Sequence, residues 1–405
     1  MGPTNHDIMD ITATAEERSV EIASLKTQFA SVRERTVNIC TPLLAEDYAV
    51  QPITDVSPPK WHLAHTTWFF ETFVLKGFLT DYKEFDPTFA YHFNSYYNNA
   101  GDRVIRSNRG LMTRPRVEKI YEYREYVDEC MVSFLGTHPD HKALEIIQLG
   151  IQHEMQHQEL LYYDIKYILG HQPFFPVYDS NESSDKPTSS GTFDWIYQEE
   201  GVFQIGHSSD SFHFDNEKGC HKVILEAYSI ASRPVTFGEY LEFMEDGGYE
   251  DFNLWHSDGW DYIKKQGITS PLYIHKISGR WMRYTLSGLV EVDPNDVLIH
   301  VSYYEAWAFA QWKGCRLPTE FEWEVLADKL DWGQVWEWTN SAYLPYPRFA
   351  KAPGALGEYN GKFMVNQMVL RGASTATTVG QSRKTYRNFF HPHLQWHFAG
   401  IRLAK

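Results

Sequence analysis

His153 and His157 stand four residues apart in a helix-patterned stretch, on one face and one turn from each other, where two imidazoles can grip one ion. The same stretch, His153-Glu154-Met155-Gln156-His157, fits H-E-x-x-H, the pattern in which zinc peptidases use the glutamate as general base. Those enzymes take a third ligand downstream, but the positions three and six beyond His157 are Leu160 and Tyr163. A zinc hydrolase is therefore the remote alternative. A third ligand is on offer upstream, in Trp61-His62-Leu63-Ala64-His65. His65 shares the inward register of Trp61 and Trp68, whereas His62 shares a face with Thr66 and Phe69, so His65 is the expected ligand. Three neutral imidazoles with open positions suit Fe(II), Zn(II) or Cu(II), and ligand type alone does not select among them. A single histidine is more often a satisfied core residue; an i, i+4 pair beside a second His-bearing helix reverses that weighing.

The face that carries the pair also carries Ile146, Gly150, Leu160 and Asp164 at steps of three and four, so it points inward, and a bundle interior is where helical proteins build metal sites. Four stretches read as long helices: EERSVEIASLKTQFASVRERTVNI, HLAHTTWFFETFVLKGFL, RVEKIYEYREYVDECMVSFL and HKALEIIQLGIQHEMQHQELLYYDIKYIL. They predict a four-helix bundle over residues 15–177, after a flexible start at 1–14. Residues 178–192, rich in Ser, Asp, Pro and Gly, read as a linker. From 193 to 405 the pattern breaks into short strands, Gly-rich turns and two short helices, PVTFGEYLEFMEDGGY and SYYEAWAFAQWKG, an α+β domain. The expected fold class is thus α plus α+β, without internal repeats.

A chain of 405 residues exceeds what one core usually fills, which also favours two domains. No window approaches eighteen consecutive apolar residues, so no membrane span is expected. The polar, acidic start lacks a secretory signal, and the expected compartment is the cytoplasm. Four distant cysteines without C-x-x-C suggest reduced, structural thiols. A formal net charge of -16 excludes nucleic acid as a natural partner, because phosphate neutralisation needs clustered Lys and Arg. Aromatic residues make up 16% of the chain, enough to line a pocket for a flat or cationic small molecule.

PPKWHLAHTTWFFE and QHEMQHQELL resemble the metal-binding helices of the DinB-like domain of iron sulfoxide synthases. SRPVTFGEYLEFMEDGGY, VSYYEAWAFAQWKGCRLPTEFEWE, VWEWTNSAY and RKTYRNFF with FAGIRL resemble the formylglycine-generating-enzyme fold, a C-type-lectin-like domain. Either half alone leaves other classes open: a DinB-type thiol transferase, or a non-catalytic binding module. Their fusion in this order resembles the ergothioneine and ovothiol sulfoxide synthases and their selenium-inserting relatives. Asn94-Ser95-Tyr96-Tyr97-Asn98 followed by an Arg-rich stretch is similar to the ergothioneine group, and a methyltransferase region of the ovothiol type is not expected. The resemblance implies an Fe(II)- and O2-dependent oxidoreductase that couples cysteine to the imidazole C2 of hercynine (Nα-trimethylhistidine), giving hercynylcysteine sulfoxide. Action on histidine or on a selenosugar is the alternative. One departure stands out: Arg371-Gly372-Ala373-Ser374-Thr375-Ala376-Thr377-Thr378 replaces an expected R-G-G-S-C-A-T-P, which raises the question whether glycine is needed at 373. Formylglycine generators use a pair of late cysteines, and none follows Cys315.

The resemblance also implies roles. His65, His153 and His157 would hold the iron. Tyr96 and Tyr97 fit a proton donor to the O2 step, since a phenol of pKa ~10 stays protonated at neutral pH. Arg106 and Arg109, at the family's R-x-x-R spacing, would hold a carboxylate; a solvated basic loop is the other reading. Gln156 and Asn388 resemble residues that contact the betaine. Phe389 and Phe390 would close around its trimethylammonium, at ~0.5 to 2 kcal/mol per ring. Trp336-Glu337-Trp338 and Arg371-Gly372 are expected to maintain the fold. Relatives that take γ-glutamylcysteine carry Asn-Trp-Asp where this chain has Asn388-Phe389-Phe390, and their Asp meets the glutamyl ammonium. Phe390 offers no acceptor, so free cysteine is the expected thiol.

Overall fold

A computed structural model of the chain describes residues 15–95, 102–181, 187, 192–351 and 360–405. The first domain is built on α1 (Ala15–Cys40), α2 (Pro59–Phe70), a short α3 (Phe89–Phe93), α4 (Val117–Leu135) and α5 (His141–Gly170). Pro59 opens α2 at a position where its fixed φ is helical and its missing N–H leaves no bond unmade. The helix continues through one π-helical turn, Glu71–Leu75, into Lys76–Phe78. At that widened turn the buried Glu71 accepts from Tyr123 Oη at 2.6 Å, Tyr82 Oη at 2.9 Å and the Phe85 amide at 3.0 Å. Asp140 caps α5 by accepting from the Ala143 amide at 2.9 Å.

Helix α5 packs on α1 and α2, and α2 packs on α4. Gly150 sets how closely α2 and α5 approach: a Cβ there would lie 2.6 Å from Phe70 Cε1 and 2.8 Å from Phe69 Cε1. A glycine in a helix interior is intrinsically unfavourable by ~1 kcal/mol, and here that cost accompanies a tight helix crossing. On another side of α5, Glu154 ties three helices together. Its carboxylate accepts from Arg33 of α1 at 2.8 Å, Arg124 of α4 at 2.9 Å and Thr36 Oγ1 at 2.6 Å. Burial alone would raise the carboxyl, but the two guanidinium groups hold it down at about 2.

The second domain contains four small sheets among the described residues. β1 (Trp195–Gln198) pairs with β4 (Tyr228–Ala231), β2 (Gly201–Ile205) with β3 (His221–Leu225), and β5 (Ile274–Ile277), β6 (Arg280–Thr285) and β7 (Gly288–Glu291) form a meander. The fourth sheet has the order β10-β9-β8-β11, with β8 (Trp336–Ala342), β9 (Met368–Gly372) and β10 (Asn388–Phe390) antiparallel and β11 (Ala399–Gly400) parallel to β8. Helices α6 (Phe237–Glu245), α8 (Tyr303–Trp312) and α9 (Glu320–Leu326) each begin with a reciprocal capping box, Thr236/Glu239, Ser302/Glu305 and Thr319/Glu322. Between them lies α7 (Ser257–Gln266), ended by Gly267 at φ 67°. The periodicity anticipates α6 and α8 but not α7 and α9: SDGWDYIKKQ of α7 is mostly polar with a glycine near its start, and α9 spans only seven residues.

Trp336, Glu337 and Trp338 lie in the core of this domain, where Glu337 accepts from Arg402 Nε and Nη2 and from Trp323 Nε1, each at 2.6 Å. Arg371 is fully buried against Glu324 and the backbone carbonyls of Lys384, Thr385 and Tyr386. Gly372 has φ 95°, whereas Ala373 is not among the positive-φ residues, so the backbone does not require glycine at 373. All four cysteines are unpaired by disulfides. No described helix is long and apolar enough to cross a membrane.

The two domains meet along α5. Glu159 accepts from Trp336 Nε1 at 2.7 Å, Ser374 Oγ at 2.5 Å and Thr377 Oγ1 at 2.7 Å, and Gln158 accepts from Thr378 Oγ1 at 2.7 Å. Further along, Trp396 Nε1 donates to Asp164 at 2.9 Å, and Lys166 Nζ lies 2.9 Å from His300 Nε2. One helix thus lines the bundle interior with one side and anchors the second domain with the other. The residues at its middle belong to both.

Candidate metal centre

The nitrogens that His65, His153 and His157 can offer an ion all lie within 4.8 Å of one another, and all three side chains are buried. Burial holds each imidazole neutral at pH 7, with His153 lowered to about 4 and His65 and His157 well below their ordinary value; His153 adds a repulsive charge effect on the other two. Neutral rings keep the lone pairs that a metal needs.

Two of the rings are oriented by their second nitrogens. His65 Nδ1 donates to the Phe93 carbonyl at 2.6 Å, which leaves Nε2 for a ligand. His157 Nδ1 lies 2.8 Å from His62 Nδ1, and His62 Nε2 lies 2.9 Å from Asp164. A carboxylate only accepts, so His62 carries its proton on Nε2, accepts at Nδ1, and fixes the proton of His157 on Nδ1. His157 therefore also presents Nε2. His62 stands behind the ligand, and Asp164 stands behind His62, with the Ser57 amide as a further donor to the same oxygen at 2.8 Å. Three neutral imidazoles, two of them braced in this way, fit a divalent first-row ion.

The His65 ring is held between two indoles. Trp61 stacks on it at 4.4 Å and 13°, Trp68 lies at 5.5 Å and 16°, and the Arg109 guanidinium covers the Trp61 ring at 3.4 Å. Arg109 is only 3% exposed and donates to Ser57 Oγ at 2.9 Å and Ser95 Oγ at 3.0 Å, which rules out the solvated-loop reading for it. Arg106 is half-buried and donates to the Asp55 carbonyl at 2.7 Å.

A cavity of about 210 Å³ opens beside the cluster, between the domains. From the bundle it is bordered by His65, His157, Arg106, Arg109 and Gln156, and from the second domain by Asn388, Phe389 and Phe390. Phe389 is stacked on Tyr343 at 4.1 Å and 10°, and Phe390 packs edge-on against Trp396 at 5.2 Å. Both rings are fixed in position before any ligand arrives. Gln156 donates to Tyr386 Oη at 2.7 Å, which joins the domains at the cavity wall. His153 lies on the far side of the cluster, against Phe69. Tyr96 and Tyr97 lie outside the described residues.

Several residues here escape a reading of the sequence. His62 shares a face with Thr66 and Phe69 by register but braces His157, and Asp164, legible only as an inward position two turns after His157, completes that chain. Tyr386 borders the cavity without belonging to any spacing pattern. Glu154 of the H-E-x-x-H match is the reverse case: its carboxylate is buried among Arg33, Arg124 and Thr36, so it is not a base for a metal-bound substrate.

Residues 181–329 and 331–405, more than half of the chain, match the sulfatase-modifying factor enzyme 1-like domain, and residues 28–161 match the DinB superfamily. Hercynine oxygenase of Mycobacterium tuberculosis is 27% identical over 399 residues, covering 86% of this chain and 91% of that protein. Hercynine oxygenase of Mycolicibacterium thermoresistibile is 26% identical over 442 residues, covering 94% of each. Ergothioneine biosynthesis protein 1 of Schizosaccharomyces pombe is 26% identical over 235 residues, covering 48% of this chain and 28% of its own length.

Proposed function

We propose, from the premise that the chain belongs to the sulfatase-modifying factor enzyme 1-like family and carries a DinB-superfamily bundle ahead of that domain, that it is a hercynine oxygenase of ergothioneine biosynthesis. The observation that carries the reading is the three-histidine cluster opening onto a cavity that both domains wall. A hydrolase would need a base where Glu154 is instead locked in the core. The metal is proposed to be Fe(II), held by His65, His153 and His157; when bound it supplies the redox chemistry by which O2 joins cysteine to the imidazole C2 of hercynine as a sulfoxide.

The chain's own residues divide the remaining work. Arg109, preset by Ser57, Ser95 and Trp61, offers a forked donor to a substrate carboxylate, and Arg106 lies beside it at the rim. Gln156 is assigned to the betaine carboxylate, Asn388 to a further contact with the same betaine, and the Phe389 and Phe390 faces to its trimethylammonium. Prefixed side chains lower the ordering cost of binding and hold reactants in a productive geometry. Proton donation is assigned to Tyr96 or Tyr97 on the family resemblance. The proposed thiol is free cysteine, because Phe390 gives a glutamyl ammonium nothing to bond. The proposed compartment is the cytoplasm.

Anaerobic protein loaded with Fe(II), mixed with trimethylhistidine and cysteine and then exposed to O2, should yield hercynylcysteine sulfoxide by mass analysis. Stoichiometric zinc with peptide cleavage, or O2 uptake without a C–S product, would overturn the reading.

A further inference from the structure

Two cavities flank the histidine cluster. The one between the domains borders His65 and His157. A second, a groove of about 680 Å³, reaches His153 from the other side, between α1, the first turns of α5 and the segment 210–218. Gln156, Phe214 and Asn360 border both, so the two spaces share a wall.

Their chemistry differs. Arg106 and Arg109 line the first, which suits carboxylate-bearing substrates. Phe69, Leu144, Leu149 and Phe212 line the groove together with His153, and Phe69 meets the His153 ring at 5.0 Å between centroids. At its rim Glu21, Glu145 and Asp210 are exposed and outnumber Lys218. A rim of that sign repels carboxylates, whereas an apolar wall gives dispersion contact to a small neutral gas.

We propose that this groove is a separate access route by which dioxygen reaches the metal centre on the His153 side, while the amino-acid substrates fill the arginine-lined cavity. The inference rests on the oxygenase reading above. Its physical consequence is that bound substrates do not block the gas. O2 reaches the substrate-loaded enzyme without passing them.

Xenon reports apolar gas sites without turnover. Crystals of the iron-loaded protein under xenon pressure should hold xenon beside Leu149 and Phe69, and Leu149→Trp should remove it. In solution Leu149→Trp should raise KM for O2 by about fivefold or more. Bound iron and the KM values for trimethylhistidine and cysteine should stay at wild-type levels. Ser24→Trp, at an exposed position of α1 bordering the same groove, should move KM for O2 in the same direction, and it carries the test if Leu149→Trp does not fold. Xenon confined to the arginine-lined cavity, or an unchanged KM for O2 in a folded plug variant, overturns the proposal. Xenon in the groove of a protein that makes no sulfoxide supports the gas route and sinks the substrate assignment, so the two failures are told apart.

Discussion

His157 presents Nε2 because its Nδ1–H donates to His62 Nδ1, and His62 can accept there because it donates from its other nitrogen to Asp164. Braces of this kind are worth ~10- to 100-fold in metal affinity. His62→Gln should therefore weaken iron binding by about that factor while the protein stays folded, whereas alanine at His65, His153 or His157 should abolish turnover and most bound iron. An iron titration of the four variants checks the ranking, and full occupancy in His65→Ala would dissolve the ligand assignment. The same scale decides the thiol. Phe390 is fixed by Trp396 and His397 and has no acceptor, so a glutamyl ammonium placed there would go unpaired at ~1 to 3 kcal/mol, about ten- to a hundredfold in specificity. Parallel kcat/KM values should favour cysteine over γ-glutamylcysteine, and Phe390→Asp should narrow or invert the ratio. A wild-type preference for the dipeptide would end the argument from Phe390.

Elements hold these residues at a spacing that their own chemistry cannot set. Gly150 lets α2 and α5 approach until His65 meets His153 and His157, and Gly150→Val would drive a branched side chain into Phe69 and Phe70. The expected cost is ~1 to 3 kcal/mol, with loss of iron at temperatures where the fold persists. Thermal melting and metal analysis of one sample separate the two effects. Glu154 works in the same layer as a brace between α1, α4 and α5. Its carboxyl is held at about 2 against an ordinary 4.5, so its ionised form contributes stability in full above pH 4.5, and that contribution is lost as pH falls through 2. Glu154→Gln should cost ~3 to 5 kcal/mol at neutral pH, because two buried guanidinium groups lose their counter-charge. It should also flatten the acid limb of the stability curve. Unfolding titrations at several pH values read both, and an unchanged acid limb would contradict the assignment.

At the scale of the molecule, the cavity exists only where the second domain closes on α5. Glu159 is the hinge pin of that closure, accepting from Trp336, Ser374 and Thr377 of the other domain. Glu159→Ala leaves those donors without their acceptor, at ~1 to 3 kcal/mol. Faster amide exchange over 374–378 and a raised KM for both substrates, with iron binding retained, are the expected signs of a loosened seam. Protection at wild-type level would assign the closure to other contacts, Trp396–Asp164 and Lys166–His300 among them.

Local pattern carried the four long helices, the i, i+4 histidine pair and the change from helical to strand-rich text, because a helical face repeats every few residues and can be counted along one segment. It also put Asp164 on the inward face and His65 ahead of His62. What it could not carry were meetings between segments far apart in the chain. Register alone put His62 on a face with Thr66 and Phe69, yet α2 is buried on every side, and its neighbour across the bundle makes His62 a partner of His157. The H-E-x-x-H spelling gave no hint that Glu154 faces Arg33 and Arg124, since i and i+1 on a helix point about 100° apart and only packing decides what each side meets. The helices α7 and α9 were invisible for a related reason: α7 is mostly polar and α9 spans only seven residues, so neither holds a countable apolar repeat. Sequence spacing thus determined which residues share a helix face. The packing of α5 against both domains decided which of those faces look at each other, because side-chain contact across a fold is set by element placement and leaves no period in the chain.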